Sequence, residues 1–305
     1  MAEIDISDAV AYDNDGYVLV KREGPLAQVI LNRPEKLNAL LGGMGPAVRR
    51  AFLELDEDDD VKVILFRGMG RAFSTGGDMS WIGNQYGDPT GEDTRRPSQR
   101  RRLGRDDRGY RVFESILHSS KCVIAEGKGY VLGVSLDWFL GADIIICSEE
   151  TVIGYPPSRM ISASGVSTLY WMMRMGAALH AEITMMGRYI YAQEAYDRGL
   201  INRVVPLDQL DDTIAGAIDA VMAVPTDGLA ISKFNKRVAY DILGVRSSQM
   251  QSAMGHAMQV QQRMEKDDWN LIKERQKGGH RGAISSRDAR FKDALQRYNP
   301  NGPAL

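Results

Sequence analysis

Short apolar runs alternate with longer amphipathic ones over the first two thirds of the chain. Residues 17–23 (YVLVKRE) and 25–31 (PLAQVIL) predict two strands, with Gly24-Pro25 as the turn between them. After a breaker at Asn32-Arg33-Pro34, residues Leu40, Leu41, Met44, Val48, Phe52 and Leu55 recur at steps that suit a helix, so one is predicted from Asn38 to about Asp56. Residues 61–67 (VKVILFR), 121–126 (KCVIAE) and 142–147 (ADIIIC) are uniformly apolar apart from their ends and predict buried strands. Shorter strands are expected at 151–154 and 201–205, and helices at 109–118, 165–176 and 192–199. Residues 82–108 are polar and rich in Gly, Pro and Arg, and predict a long loop. From Leu207 the pattern turns almost wholly helical, over 208–223, 226–243 and 247–276, and the Gly- and Arg-rich tail 277–305 predicts a partly extended end. Alternating strand and helix implies an α/β fold with parallel pairing. The organisation expected is a core over residues 1–206 and a helical region with its tail over 207–305.

Composition narrows the possible functions. With 38 Lys and Arg against 40 Asp and Glu, the net charge of −2 lacks the cationic excess of a dedicated nucleic-acid or membrane-surface protein. No stretch approaches the roughly 18 apolar residues of a spanning helix, and the first residues, MAEIDISDAV, are neither a secretory signal nor an Arg-rich transit segment. A cytoplasmic protein is the expectation. Two cysteines, Cys122 and Cys147, both in apolar runs, predict buried free thiols in a reducing compartment. The four histidines are scattered and no CxxC occurs, so no metal site is expected.

The strand, glycine-bearing turn, helix-start unit occurs twice, at 61–81 and at 121–140. A helix start offers unpaired N–H groups, and glycine lets a ligand approach the backbone closely. Two such turns aimed at one point could hold a developing oxyanion. Either turn alone reads as readily as packing.

The wording of these turns resembles that of the crotonase, or enoyl-CoA hydratase/isomerase, superfamily. The resemblance rests on Gln28 through Leu40 (QVILNRPEKLNAL), Arg71 through Asp78 (RAFSTGGD), Val123 through Gly133 (VIAEGKGYVLG), Gly141-Ala142-Asp143-Ile144 and Ile153-Gly154-Tyr155-Pro156. It covers about residues 15–205 in the family's order and spacing. It implies a spiral of ββα units followed by a helical region that mediates oligomers, here a homotrimer or hexamer. It implies an acyl-CoA thioester substrate, with coenzyme A part of the substrate and no separate cofactor; the charge balance argues against a nucleic-acid partner, and no membrane partner is expected. The family's oxyanion donors match the backbone N–H groups of Gly77 and Val134; glycine is commoner at the second position. Its first catalytic acid matches Asp137, one C–C bond shorter than the usual glutamate. Its second falls on Pro157, which has no acid–base chemistry, so hydrolase, isomerase and C–C lyase stand as alternatives to a hydratase, with a non-catalytic CoA-ester or RNA binder as another class. Ala72, Ser74, Gly76, Asp78, Trp81, Gly133, Pro157 and Arg159 are expected to line the substrate.

The plainer readings are a helix-start acid at Asp137, a turn-ordering acid at Asp78 and a solvated turn at Ser158 and Arg159. The Arg-rich segment 95–108, or Lys233 and Lys236 on a late helix, could meet CoA phosphates.

Overall fold

Three uniformly apolar strands need cover on both faces, and the fold supplies it. The computed structural model describes residues 4–81, 98–163, 167–259 and 261–303, with nothing said of the Trp81 side chain. Strands β1 (Val10–Ala11), β2 (Val18–Glu23), β3 (Leu26–Leu31), β4 (Val63–Gly68), β5 (Cys122–Gly127), β7 (Ile144–Ser148) and β10 (Arg203–Val205) form a seven-stranded sheet in that spatial order. The β1–β2 and β2–β3 pairs are antiparallel and the rest are parallel. In β4, Ile64 and Phe66 join the main core, whereas Val63 and Leu65 face the other way, onto Leu210, Ile214 and Val221 of helix α6 (Leu210–Ala223). The same period of two runs through β5, where Val123 and Ala125 oppose Cys122 and Ile124. Both cysteines are free and buried.

A second sheet joins β6 (Tyr130–Leu132), β8 (Val152–Gly154) and β9 (Ile190–Tyr191). Successive turns of the chain give one strand to each sheet: β5 then β6, β7 then β8. The segment after β4 reaches the second sheet through a parallel bridge between Ser74 and Val131. This is the spiral α/β architecture that the resemblance implied. The remaining helices are α1 (Met44–Glu57), α2 (Gln99–Leu117), α3 (Val134–Leu140), α4 (Thr168–Thr184), α5 (Ala192–Asp197), α7 (Thr226–Ile242), α8 (Val245–Gln259) and α9 (Leu271–Tyr298).

Four expectations need correction. The first helix begins at Met44 and not Asn38, because Leu37 and Asn38 have φ of 51° and 54°, outside the helical region. The expected loop is helical from Gln99, where Ser98 caps α2 by accepting from Arg101 N–H. The expected helix over 247–276 is two: α8 ends at Gln259, and α9 starts at Asn270, whose side chain accepts from the N–H groups of Ile272 and Lys273. The tail is helical to Tyr298, with a break at Gly279. Its glycines and arginines hid that helix because it docks by ion pairs and carries little apolar periodicity. Among the described residues, no single helix is long and apolar enough to cross a membrane.

Candidate active site

The site grows from Asn38. Its side-chain amide donates to the carbonyls of Met69 (2.9 Å) and Ala72 (2.8 Å) and accepts from Arg33 N–H (2.8 Å). That pins the turn following β4 against the 37–40 segment. Ser74 Oγ donates to Asn38 O and accepts from Gly76 N–H, and Leu40 N–H donates to Gly76 O. On its other side the turn lies against β6: Ser74 N–H donates to Tyr130 O, and Leu132 N–H to Ser74 O. Ser135 Oγ, from α3, reaches both Leu132 O (2.7 Å) and Ser74 O (3.2 Å).

The backbone donors can be counted along both turns. Phe73, Ser74, Thr75, Gly76 and Asp78 each donate, to Lys128 O, Tyr130 O, Leu37 O, Ser74 Oγ and Leu40 O. Gly77 N–H has no acceptor among the described residues. The parallel bridge between Leu40 and Gly77 uses the polar groups flanking Gly77, which directs its own N–H away from that pairing. On the second turn, Leu132 N–H donates to Ser74 O, Gly133 N–H to Gly154 O and Leu136 N–H to Gly133 O. Val134 and Ser135 N–H, in the first turn of α3, have no acceptor among the described residues, and Val134 is the one that adjoins Gly133.

The two turns touch. Gly76 has φ of 82°, and a Cβ there would lie 2.5 Å from Leu132 O and 3.2 Å from Gly133 Cα. Gly133 has φ of 64° and sits before α3. Only glycine fits both demands at Gly76. A Cβ at Gly77 would meet nothing within 4 Å, so that face of the turn is open, and the Val134 side chain is 39% exposed. The backbone geometry at Val134 has no need of glycine, because the positive φ falls on Gly133.

Asp137 lies on the same short helix but is buried. Its Oδ1 accepts from Trp171 Nε1 at 2.8 Å and from Ser167 N–H at 3.2 Å; its Oδ2 has one long contact, from Ser167 Oγ at 3.5 Å. Burial pushes its carboxyl up to about 6, against the hydrogen bonds from Ser167 and Trp171 that favour the charge. The group is therefore ionised at neutral pH, a stronger base than an ordinary aspartate, with Oδ2 the less engaged oxygen. Tyr155 stands edge-on to Trp171 at 5.4 Å between ring centroids and backs that arrangement.

Other expected site residues fall elsewhere. Ala72 and Ser74 are buried, and their polar atoms serve the turn itself. Asp78 accepts from Ser80 N–H (2.8 Å) and Ser80 Oγ (2.6 Å) and pairs with Arg33 (2.6 Å). Partial burial would raise its carboxyl, but Ser80 and Arg33 outweigh that and hold it below the usual range. Pro157 lies in a 3-10 turn, Pro156–Arg159, and its carbonyl accepts from Met160 and Ile161. Arg159, read as a turn residue or a substrate contact, is held within the protein. It is 3% exposed, donates to Gly187 O (2.7 Å), pairs with Asp288 of α9 (2.9 Å) and stacks 3.9 Å over the Tyr189 ring. It anchors α9 to the turn. The Trp81 side chain, Arg95 and Arg96 lie outside the described residues.

Three of the phosphate-binding candidates, Lys233, Lys236 and Arg102, are engaged, while Arg100 and Arg101 are exposed. Lys233 and Lys236 both pair with Asp143, Lys233 at 2.6 Å, and Asp143 Oδ2 accepts from Val123 N–H. Arg102 is buried, bonded to Asp106 (2.9 Å) and to His256 of α8 (3.0 Å). A groove of about 310 Å³ bounded by Arg49, Arg111, His118 and Arg237 shares no residue with the two turns.

Sequence reasoning missed Asn38, Ser167 and Trp171. Asn38 stood in the quoted motif, and a polar residue flanked by apolar ones between two secondary elements was the available signal. Trp171 lies 34 residues from Asp137, beyond any local pattern.

Residues 21–277 match the family described as enoyl-CoA hydratase/isomerase. A probable enoyl-CoA hydratase of Mycobacterium tuberculosis is 29% identical over 71% of this chain and 75% of its own. A probable mitochondrial enoyl-CoA hydratase of Dictyostelium discoideum is 24% identical over 78% of this chain and 81% of its own. Among solved structures, an enoyl-CoA hydratase from Mycobacterium smegmatis superposes with a TM-score of 0.79 at 24% identity, covering 92% of this chain and 96% of that one. An enoyl-CoA hydratase/isomerase from Xanthobacter autotrophicus Py2 gives 0.74 at 25% identity, covering 90% and 98%.

Proposed function

The chain belongs to the enoyl-CoA hydratase/isomerase family, and from that premise we propose that it acts on acyl-CoA thioesters through an oxyanion hole made by Gly77 N–H and Val134 N–H. The observation that carries this reading is a pair of open donors: Gly77 N–H and Val134 N–H, on two touching turns, both lack an acceptor among the described residues while most N–H groups around them are engaged. A thioester carbonyl placed there gains two hydrogen bonds that strengthen as its oxygen becomes an enolate or tetrahedral oxyanion. Losing one such donor typically costs about 10²–10³ in rate. Asp137 supplies the base through Oδ2. Coenzyme A enters as part of the substrate, and the chemistry requires no separate cofactor.

The apolar side chains that α7 and α8 leave exposed support a homotrimer or hexamer. Ile231, Phe234, Val238 and Ile242 are 42–80% exposed and recur along α7, beside Met250, Met254 and Met258 on α8.

Incubation with a panel of acyl-CoA and enoyl-CoA esters, followed by mass detection, tests the reading. A product heavier by one water indicates hydration, release of free CoA indicates thioester cleavage, and an unchanged mass with a shifted double bond indicates isomerisation. CoA esters should also raise the melting temperature while NAD does not. Binding of NAD without binding of any CoA ester overturns the reading.

A further inference from the structure

Among the described residues the site has one carboxylate base, Asp137, and the position of the family's second acid is Pro157. The inward face of α2 offers another group. Arg102, Asp106, Phe113 and Leu117 are buried at helical steps, beside Val112 and Ile116, and Tyr110 falls on the line of the first four, four residues after Asp106 and three before Phe113. Phe113 packs on Tyr170 at 5.2 Å, and Tyr170 O–H donates to Leu140 O at the end of α3, the helix that carries Asp137. That places this face of α2 over the acid. The ionisable groups that act on the Tyr110 phenol are Tyr155 and Asp137, then Asp106 and Arg102 of its own helix. His256 of α8 is bonded on to Arg102 and Asp106. Among the described residues, the Tyr110 hydroxyl has no hydrogen-bond partner. A half-buried phenol on a helix packed against the one that carries Asp137, within electrostatic reach of that carboxylate and with its proton uncommitted, is a donor awaiting an acceptor.

We propose that the Tyr110 hydroxyl is the second proton-transfer group of this site, the proton donor to the substrate carbon where the family's acid is replaced by Pro157. This rests on the acyl-CoA reading above. Burial and the negative neighbours hold the phenol protonated well above its ordinary value, so it meets the substrate as O–H. In hydration, Asp137 Oδ2 takes a proton from water while the water oxygen bonds to Cβ. The Cα=Cβ electron pair moves to the thioester oxygen. When the enolate collapses, Cα takes the Tyr110 proton, and the proton held by Asp137 returns to the phenolate. One water is added, and both groups are restored.

Tyr110→Phe removes only the hydroxyl. With short enoyl-CoA esters as probes, kcat for hydration should fall by about 10²–10⁴, the range of a lost general acid. KM and calorimetric CoA-ester binding should stay within about threefold of wild type, a loss far smaller than that range. The loss of rate on acidification, which belongs to Asp137, should persist in the variant. If Tyr110→Phe folds poorly, a fluorinated tyrosine at 110, more acidic but similar in shape, should change kcat and leave KM alone. Hydration by either variant at wild-type kcat overturns the assignment. So does a wild-type protein that binds enoyl-CoA esters and adds water to none. A wild-type protein that binds no CoA ester instead overturns the reading on which the assignment stands.

Discussion

Trp171 donates its indole N–H to Asp137 Oδ1 at 2.8 Å, and this bond decides which oxygen of the carboxylate is left for chemistry. Oδ1 has a second donor in Ser167 N–H, so rotation of the carboxyl would break two good bonds. The acid is oriented by the same residue that packs beneath it.

Asp137→Asn keeps the shape and both bonds at Oδ1 but removes the base. Activity on the native ester should fall by about 10²–10⁴, with affinity for the ester little changed because the proposed oxyanion donors are backbone groups. Wild-type kcat should decline as the pH drops through about 6, where this carboxyl takes up a proton. Steady-state kinetics of both proteins across pH checks this. Turnover by the variant near the wild-type rate would make Asp137 a structural acid.

The same substitution should act on stability in the opposite sense. The unfolded carboxyl ionises near pH 3.9 and the folded one near 6, so folding disfavours the charged form. The stability contributed by this group is complete below about pH 4 and declines until about pH 6. Asn carries no such penalty. Relative to wild type, Asp137→Asn should gain up to about 3 kcal/mol between those limits and no more above them. Thermal melts at pH 4 and pH 8 measure the difference.

Asp143 holds two lysines of α7 and one backbone N–H of β5. Burial alone would raise its carboxyl, but the lysines outweigh that and keep it below the usual range. Asp143→Ala strands Lys233, which is 5% exposed, without a counter-charge. Breaking such a pair typically costs about 3–5 kcal/mol. Chemical denaturation should show a lower midpoint with little change in slope.

Phe234 and Ile231 lie one turn apart on the exposed stripe of α7. Placing a carboxylate there, as in Phe234→Asp, should convert the proposed trimer or hexamer into smaller species in light scattering, with circular dichroism preserved. A wild-type protein that is monomeric at micromolar concentration refutes the assembly.

Much of the fold was legible because its physics is local. The uniformly apolar strands β4, β5 and β7 announced a sheet covered on both faces, and the two glycine turns fall where the sequence placed them. What could not be read is long-range. Arg159 looked like a polar turn residue until Asp288 met it across the fold, and Lys233 and Lys236 looked available until Asp143 claimed them. Charged side chains carry no periodic signal of burial. Each was assigned to solvent or ligand by default, and the partner that buried it lay more than eighty residues away. The helix over 99–117 was hidden for a related reason: its inward face carries Arg102 and Asp106, whose pairing makes a polar residue behave as a core one.

The ion pair between Arg159 and Asp288 joins residues 129 apart in sequence. In kinetic terms, that contact closes a very long loop, whose ordering cost falls due before the contact returns anything. The turn bearing Pro157 should therefore be among the last parts of the molecule to settle. During refolding, helical signal should recover first and ligand binding should lag behind it, as an interval in which the protein has its shape and cannot yet use it.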